Sequence, residues 1–444
     1  MNKQQNKVFD IYTLSYKDFP SLIESVLLTK VASARANAHF GLISSESAKL
    51  IEEVCLKTIK DSCYDIVQGN IYGGSKYALI QAIDRAILQK SEQINDKDLS
   101  QSLSVNATLY TSFELLMNKE LKKVVCSSDL LQEVLVKLAN NFKGILKVGR
   151  LGLKDNMPID LSSQFFAYCT ALRRLREKIA TEQSGWTVSC LGTSEIGTTL
   201  PLPHGWAEFA TDELNKLTKQ KLNISENYID CIQGTDRLIV SHAHIQALSN
   251  LIWKIARDLR LMCSGPRGGI QEITLPAVAP GSSIMPGKLN PVIAEMVFNT
   301  VDQVDANHAG LTLALKSGWL EGGTNSFVPL RAVINSCDLL SRTMDCFANR
   351  CLIGIEVNQT QLDIFNKKSL AIRFVLSDIF GAEFTNKLVD DAKEKQESLE
   401  TVFRLTQSLP SDFCDDLFDL NTLVNPAKLN QLIVKTKSYL ENNK

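Results

Sequence analysis

The sequence predicts an all-α protein organised around long helices that pack as a bundle. Three observations lead there. Glycine (23) and proline (12) are scarce for a chain of 444 residues, below their average usage. Long stretches contain neither residue: 108–143, 159–184, 236–263 and 292–308. Inside them apolar side chains recur at steps of three and four, the period of one helix face.

In chain order, residues 20 to about 103 mix shorter helical patterns with breaks at Gly69, Gly73-Gly74 and the polar run Gln93–Asp98. This reads as a smaller N-terminal helical domain. The stretch from Thr108 carries a stripe through Leu130, Leu131, Val134, Leu135 and Leu138. A second long helix follows from Ile159 to Ser184. The third, Asp236 to Cys263, places Ile245, Leu248, Ile252, Ile255, Leu259 and Met262 on one face. Val292–His308 and Arg331–Leu352 supply two more long helices, and a charged helical tail closes the chain. Apolar stripes this long require long partners, and a homo-oligomer is the physical expectation.

Composition excludes several classes. The net charge of −1 leaves no electrostatic footprint for nucleic acid. No run of eighteen apolar residues exists, so no membrane span is expected. Residues 1–19 are polar and mixed, without the apolar core of a signal peptide. Eleven cysteines are scattered without a Cys-x-x-Cys pair. Their odd number and lack of metal spacing point to buried thiols in a reducing cytoplasm. His242 and His244 stand two apart on different helix faces, and no metal or cofactor is expected.

The most informative stretch is Gly281-Ser282-Ser283-Ile284-Met285-Pro286-Gly287-Lys288-Leu289-Asn290-Pro291. Its first half has the composition of a mobile loop tip. Its second half adds one cation and one amide, and the helix beginning near Pro291 offers unpaired N–H groups to an anion. Composition alone leaves a plain Gly/Ser/Pro linker open as well.

The whole stretch resembles the signature loop of the fumarase/aspartase superfamily, Gly-Ser-Ser-x-Met-Pro-x-Lys-x-Asn-Pro, and Ser264–Ile270 resembles the segment that precedes it. Further matches are Ser102–Ala107, Lys147–Ile159, Gly192–Leu200, Gly318–Asn325 and Cys351–Asn358, with a weaker one at Gly73–Gln81. The resemblance is to the aspartase side of the superfamily. It implies a three-domain lyase with a central bundle shared by four subunits, divided as 1–103, 104–355 and 356–444.

The same resemblance implies roles for individual residues. Ser282 is the expected base. Ser283, Lys288, Asn290, Ser104, Asn106, Ser194, Thr198 and Asn325 are the expected contacts of a small dicarboxylate or amino-acid substrate. Glu295 matches a glutamate that supports a histidine, and here it is expected to satisfy a neighbouring cation instead. The departures lie at Leu151-Gly152, where the superfamily has Thr-His or Thr-Gln, and at Ala107, Glu195 and Pro201. Glu195 reads either as a solvent-facing turn residue or as a partner for a cationic substrate group. Asn106 reads equally as a helix cap or turn residue and as a ligand contact. The implied reaction is C–N cleavage of aspartate or an N-substituted aspartate, giving fumarate. The alternatives are a non-catalytic oligomer that kept the fold and a fumarate hydratase-like C–O lyase.

Overall fold

The computed structural model describes residues 20–62, 76–234, 236–324 and 328–443. The chain forms two compact units, each built from separated segments. The first comprises residues up to 128, 174–250 and 299–343, and the second comprises 129–173, 251–298 and 344–444. All five chain crossings fall within a helix. The described residues are mainly helical, with three small two-stranded sheets among them. No described helix is long and apolar enough to cross a membrane.

In the first unit, α1 (Pro20–His39), α2 (Ser45–Lys60) and α3 (Lys76–Lys90) form an apolar cluster through Leu22, Ile23, Val26, Ile51 and Ile83. Helix α2 starts where it does because Ser44 Oγ accepts from the Ser47 N–H at 3.0 Å, a side-chain cap on an otherwise unpaired amide. Helix α1 is twenty residues long and most of it is buried, so it is longer than the short patterns expected of this region. After α4 (Asp96–Ser100) comes α5 (Val105–Asn141), and later α6 (Leu161–Gly185), α7 (Trp206–Thr218), α8 (Tyr228–Gln233) and α9 (Asp236–Met262).

The α9 stripe is buried as its spacing predicts: Ile245, Leu248, Ile252, Ile255 and Leu259 are 0 % exposed. Each such side chain contributes roughly 1.5–3 kcal/mol of transfer free energy. Helix α10 (Val292–Leu315) runs past the expected end at His308 and through Gly310. A helical glycine costs about 1 kcal/mol, and the buried Leu311 and Leu315 beyond it offset that. Helix α11 begins at Val328, before the expected Arg331, and its α-helical part stops at Phe347. One π-helical turn, Ala348–Leu352, follows.

Polar pairs link the first unit's helices. His242 on α9 is fully buried; its Nδ1 lies 3.1 Å from His308 Nδ1 and its Nε2 lies 2.9 Å from Ser336 Oγ. Thr300 and Thr343 hydroxyls meet at 2.8 Å. The expectation of buried thiols holds at Cys55, Cys169, Cys337, Cys351 and Cys414 and needs correction elsewhere. Cys190 and Cys231 form a disulfide with Cα atoms 6.9 Å apart, and Cys126 is exposed. Sequence spacing gave no sign of that pair because the fold brings it together across 41 positions.

In the second unit, β1 (Leu146–Leu151) and β2 (Lys154–Asp160) form an antiparallel hairpin with a bulge at Val148/Gly149. Gly149 is required there, since a Cβ would stand 2.4 Å from the Met157 carbonyl oxygen. The C-terminal helices, from α12 (Gln359–Lys368) to the last at Pro426–Asn442, enclose a cluster around Leu376, Val402, Phe403 and Leu417.

Candidate active site

The expected site residues fall into two groups, one in each unit. The second unit holds the loop. The Ser282 N–H donates to the Lys288 carbonyl at 3.0 Å, and the Lys288 N–H donates to that of Met285 at 3.2 Å. These two bonds close the loop on itself. Ser282 Oγ accepts from the backbone N–H of Met285 at 3.1 Å and of Ile284 at 3.3 Å. N–H donors aimed at one oxygen stabilise negative charge on it. Ser282 is half-buried, whereas Ser283, Lys288 and Asn290 are exposed. So are Ile284 (87 %) and Met285 (59 %), which gives the loop an apolar crest. Glu295, in the first turn of α10, pairs with Arg260 at 3.2 Å, both half-exposed.

The hairpin belongs to the same unit. Its base is held by buried Glu272, whose carboxylate meets Arg150 at 2.6 Å and Lys147 at 3.2 Å. Burial lowers the Lys147 ammonium pKa, and the Glu272 carboxylate opposes that shift. Lys147 and Arg150 thereby fix the strands. The tip is apolar: Leu151 is 76 % and Leu153 69 % exposed. Gly152 and Leu153 have φ of +57° and +61°, the two left-handed positions of a type I′ turn. A leucine there costs roughly 1 kcal/mol or more.

In the first unit, the 192–200 turn and the start of α5 come together. Ser194 N–H donates to the Thr198 carbonyl at 2.7 Å, and the two side-chain oxygens lie 2.6 Å apart. Their hydroxyls therefore bond to each other in this state. Ser104 is the cap of α5, its Oγ accepting from the Ala107 N–H at 3.0 Å. Asn106, which was equally readable as a cap, lies inside the helix; its Nδ2 donates to the Glu195 carbonyl at 2.6 Å.

Glu195 is an exposed turn residue, one of its two sequence readings, and its carboxylate also has partners that neither reading named. Its carboxylate accepts from Val105 N–H at 2.8 Å and Asn106 N–H at 3.2 Å. The acid thus neutralises the positive end of α5. The signal available in sequence was Ser104 with helical residues after it, but nothing pointed to an acid ninety positions downstream. Asn325 and Gly73–Ser75 lie outside the described residues. No group of three or more His, Cys, Asp or Glu among the described residues has metal-binding geometry.

A family model described as Lyase matches residues 1–305. An aspartate ammonia-lyase from a Bacillus species is 28 % identical over 427 residues, 93 % of this chain and 90 % of that protein. The aspartate ammonia-lyase of Escherichia coli strain K12 is 27 % identical over 433 residues, 94 % and 91 % of the respective chains. Among solved structures, a Brucella melitensis fumarate lyase:delta crystallin shares 27 % identity with a TM-score of 0.84, covering 92 % of this chain and 91 % of that one. A class II fumarase from Schistosoma mansoni has the same TM-score and coverage at 23 % identity, a likeness of fold. The chain is therefore a lyase of the fumarase/aspartase superfamily.

Proposed function

We propose that the protein is a carbon–nitrogen lyase that eliminates an amine from aspartate or an N-substituted aspartate and releases fumarate. The observation that carries this reading is the loop, in which two backbone amides already point at Ser282 Oγ. Elimination requires removal of a weakly acidic C–H beside a carboxylate, so negative charge passes from the base to the substrate carboxylate, which must be held as it gains charge. Ser282 takes the proton. Lys288 and Asn290 hold a substrate carboxylate by charge and by directed hydrogen bonds, with Ser283 beside them. Ser104, Asn106, Ser194, Thr198 and Asn325 complete the substrate contacts, and closure of the exposed loop excludes water. Glu295 keeps Arg260 paired.

The leaving group favours an amine over hydroxide. Hydroxide needs a proton delivered by a general acid, and at the position carrying histidine in many superfamily members this chain has Gly152. A protonated amine keeps its proton, takes the C–N bond pair as the bond breaks and leaves neutral without a general acid. The relatives named aspartate ammonia-lyase support the same choice. The working assembly is a cytoplasmic homotetramer with shared sites and three domains per chain, 1–103, 104–355 and 356–444.

The test is the reverse reaction: fumarate with ammonia or small amines, followed by loss of ultraviolet absorbance. Adduct formation with at least one amine and negligible malate dehydration are expected. Malate turnover matching the best amine would overturn the amine assignment. A second reading, a non-catalytic homologue, rests on the apolar tip at Leu151–Leu153, and silence towards every amine would favour it. Sedimentation checks the assembly, which a monodisperse monomer at micromolar concentration would refute.

A further inference from the structure

The disulfide joins the two segments that set the 192–200 turn. Cys190, fully buried, leads directly into that turn. It is pinned by its N–H to Thr111 Oγ1 at 3.0 Å and by its carbonyl, which accepts from Thr193 Oγ1 at 2.8 Å. Cys231 lies in α8, a six-residue helix. It is half-buried and lines a cavity of about 130 Å³ walled by Leu109, Phe113 and Trp186. Cys231 is therefore the more accessible residue of the pair.

The same two segments touch at a second point. A Cβ on Gly197 would stand 2.7 Å from the Ile229 Cα and N, so the turn lies directly on the first residues of α8. Without the covalent bond the two sulfurs must retreat to van der Waals separation. Cys190 is anchored on both sides, so the displacement falls on α8. The turn follows through Gly197, and Glu195 transmits the change to the start of α5.

We propose that Cys190 and Cys231 are a reversible thiol–disulfide modification site that sets the position of the 192–200 turn, with a small disulfide of the glutathione class as oxidant. In oxidation the Cys231 thiolate attacks one sulfur of the small disulfide and expels one thiolate. The Cys190 thiol loses its proton and attacks Cys231 Sγ, expelling that second thiolate. Two protein thiols and one small disulfide give one protein disulfide and two small thiols, with two electrons passed. Reduction reverses the sequence, starting at the accessible Cys231. The effect on turnover rests on the reading of Ser194 and Thr198 as substrate contacts, whereas the effect on the turn does not.

The experiment equilibrates the full chain with glutathione at increasing ratios of disulfide to thiol. Acid trapping, alkylation and peptide mass mapping follow, with amide hydrogen exchange measured at each ratio. The cross-linked pair of peptides should accumulate with the ratio while exposed Cys126 alkylates when the buffer is reducing. The amides of Val105, Asn106 and Thr198 should exchange about tenfold faster in the reduced protein. Cys231→Ser, with Cys231→Ala as a second variant, should show the fast exchange at every ratio; the wild-type titration needs neither to fold. Absence of the cross-linked peptide at every ratio, or equal exchange in both states, overturns the proposal. Altered exchange with KM and kcat unchanged on a proven substrate leaves the modification site standing and removes Ser194 and Thr198 from the substrate contacts.

Discussion

The loop at 281–291 and the hairpin tip at 151–153 lie in the same unit, and both are exposed and crested with apolar side chains. They differ in what their backbones do. The loop turns two amides onto a hydroxyl and adds little to the core. The hairpin rests on a buried carboxylate that grips two cations, and it ends in a leucine held at φ +61°. The loop keeps polar atoms where chemistry would need them, while the hairpin keeps its frame and presents none. Two exposed, apolar-crested segments of one unit can therefore differ wholly in the polar atoms they offer.

That contrast breaks most visibly at Ser282. Ser282→Ala should lower turnover about 10²–10⁴-fold with a melting temperature within about 1 °C of wild type, because a loop-tip hydroxyl contributes little to folding. Retained turnover on a proven substrate would remove the base assignment.

A pH titration should show a separate stability effect, in the first unit. Burial first, and the neighbouring His308 second, lower the His242 pKa to about 4. Its folded value lies below the ordinary 6.5, so the unfolded chain binds the proton first. The resulting stabilisation is complete above about pH 6.5 and is lost as pH falls through 4, an effect of about 3 kcal/mol. His242→Asn should flatten that part of a denaturant-midpoint profile, and an unchanged slope between pH 6.5 and 4 would refute the linkage.

The hairpin frame should respond in stability where the loop responds in rate. Gly149→Ala puts a Cβ against the Met157 carbonyl and should cost about 1–3 kcal/mol, read as a lower melting temperature. An unshifted melt would mean that the strands move apart freely. The smallest effect is expected at the tip. Leu153→Asn relieves the left-handed leucine and should raise stability by up to about 1 kcal/mol, measured by chemical denaturation. A loss instead would show that the leucine is buried in the assembled protein.

Much of this was legible in the sequence, for physical reasons that name its limits. The α9 stripe could be read because a period of 3.6 is local, and the loop because glycine, proline and serine restrict local backbone. Lys147 and Arg150 could be quoted as a motif, yet their shared partner Glu272 lies more than a hundred positions away. The partners of Glu195 were hidden for the same reason, since the two amides it accepts from stand ninety positions upstream. The Cys190–Cys231 pair has no periodicity at all. What escaped was every contact made by closure of the chain over long separations.

The Glu195 clamp has a consequence for the order in which the chain acquires its structure. During synthesis α5 emerges with Ser104 as a local cap, but the amides of Val105 and Asn106 wait for an acid that has not yet been made. Domains assemble as the chain lengthens, at about 5–20 residues per second. For several seconds the first turn of the longest helix is therefore hydrated and frayed, and it is secured only when the segment around residue 195 arrives. The helix is begun by its own sequence and finished by a later one.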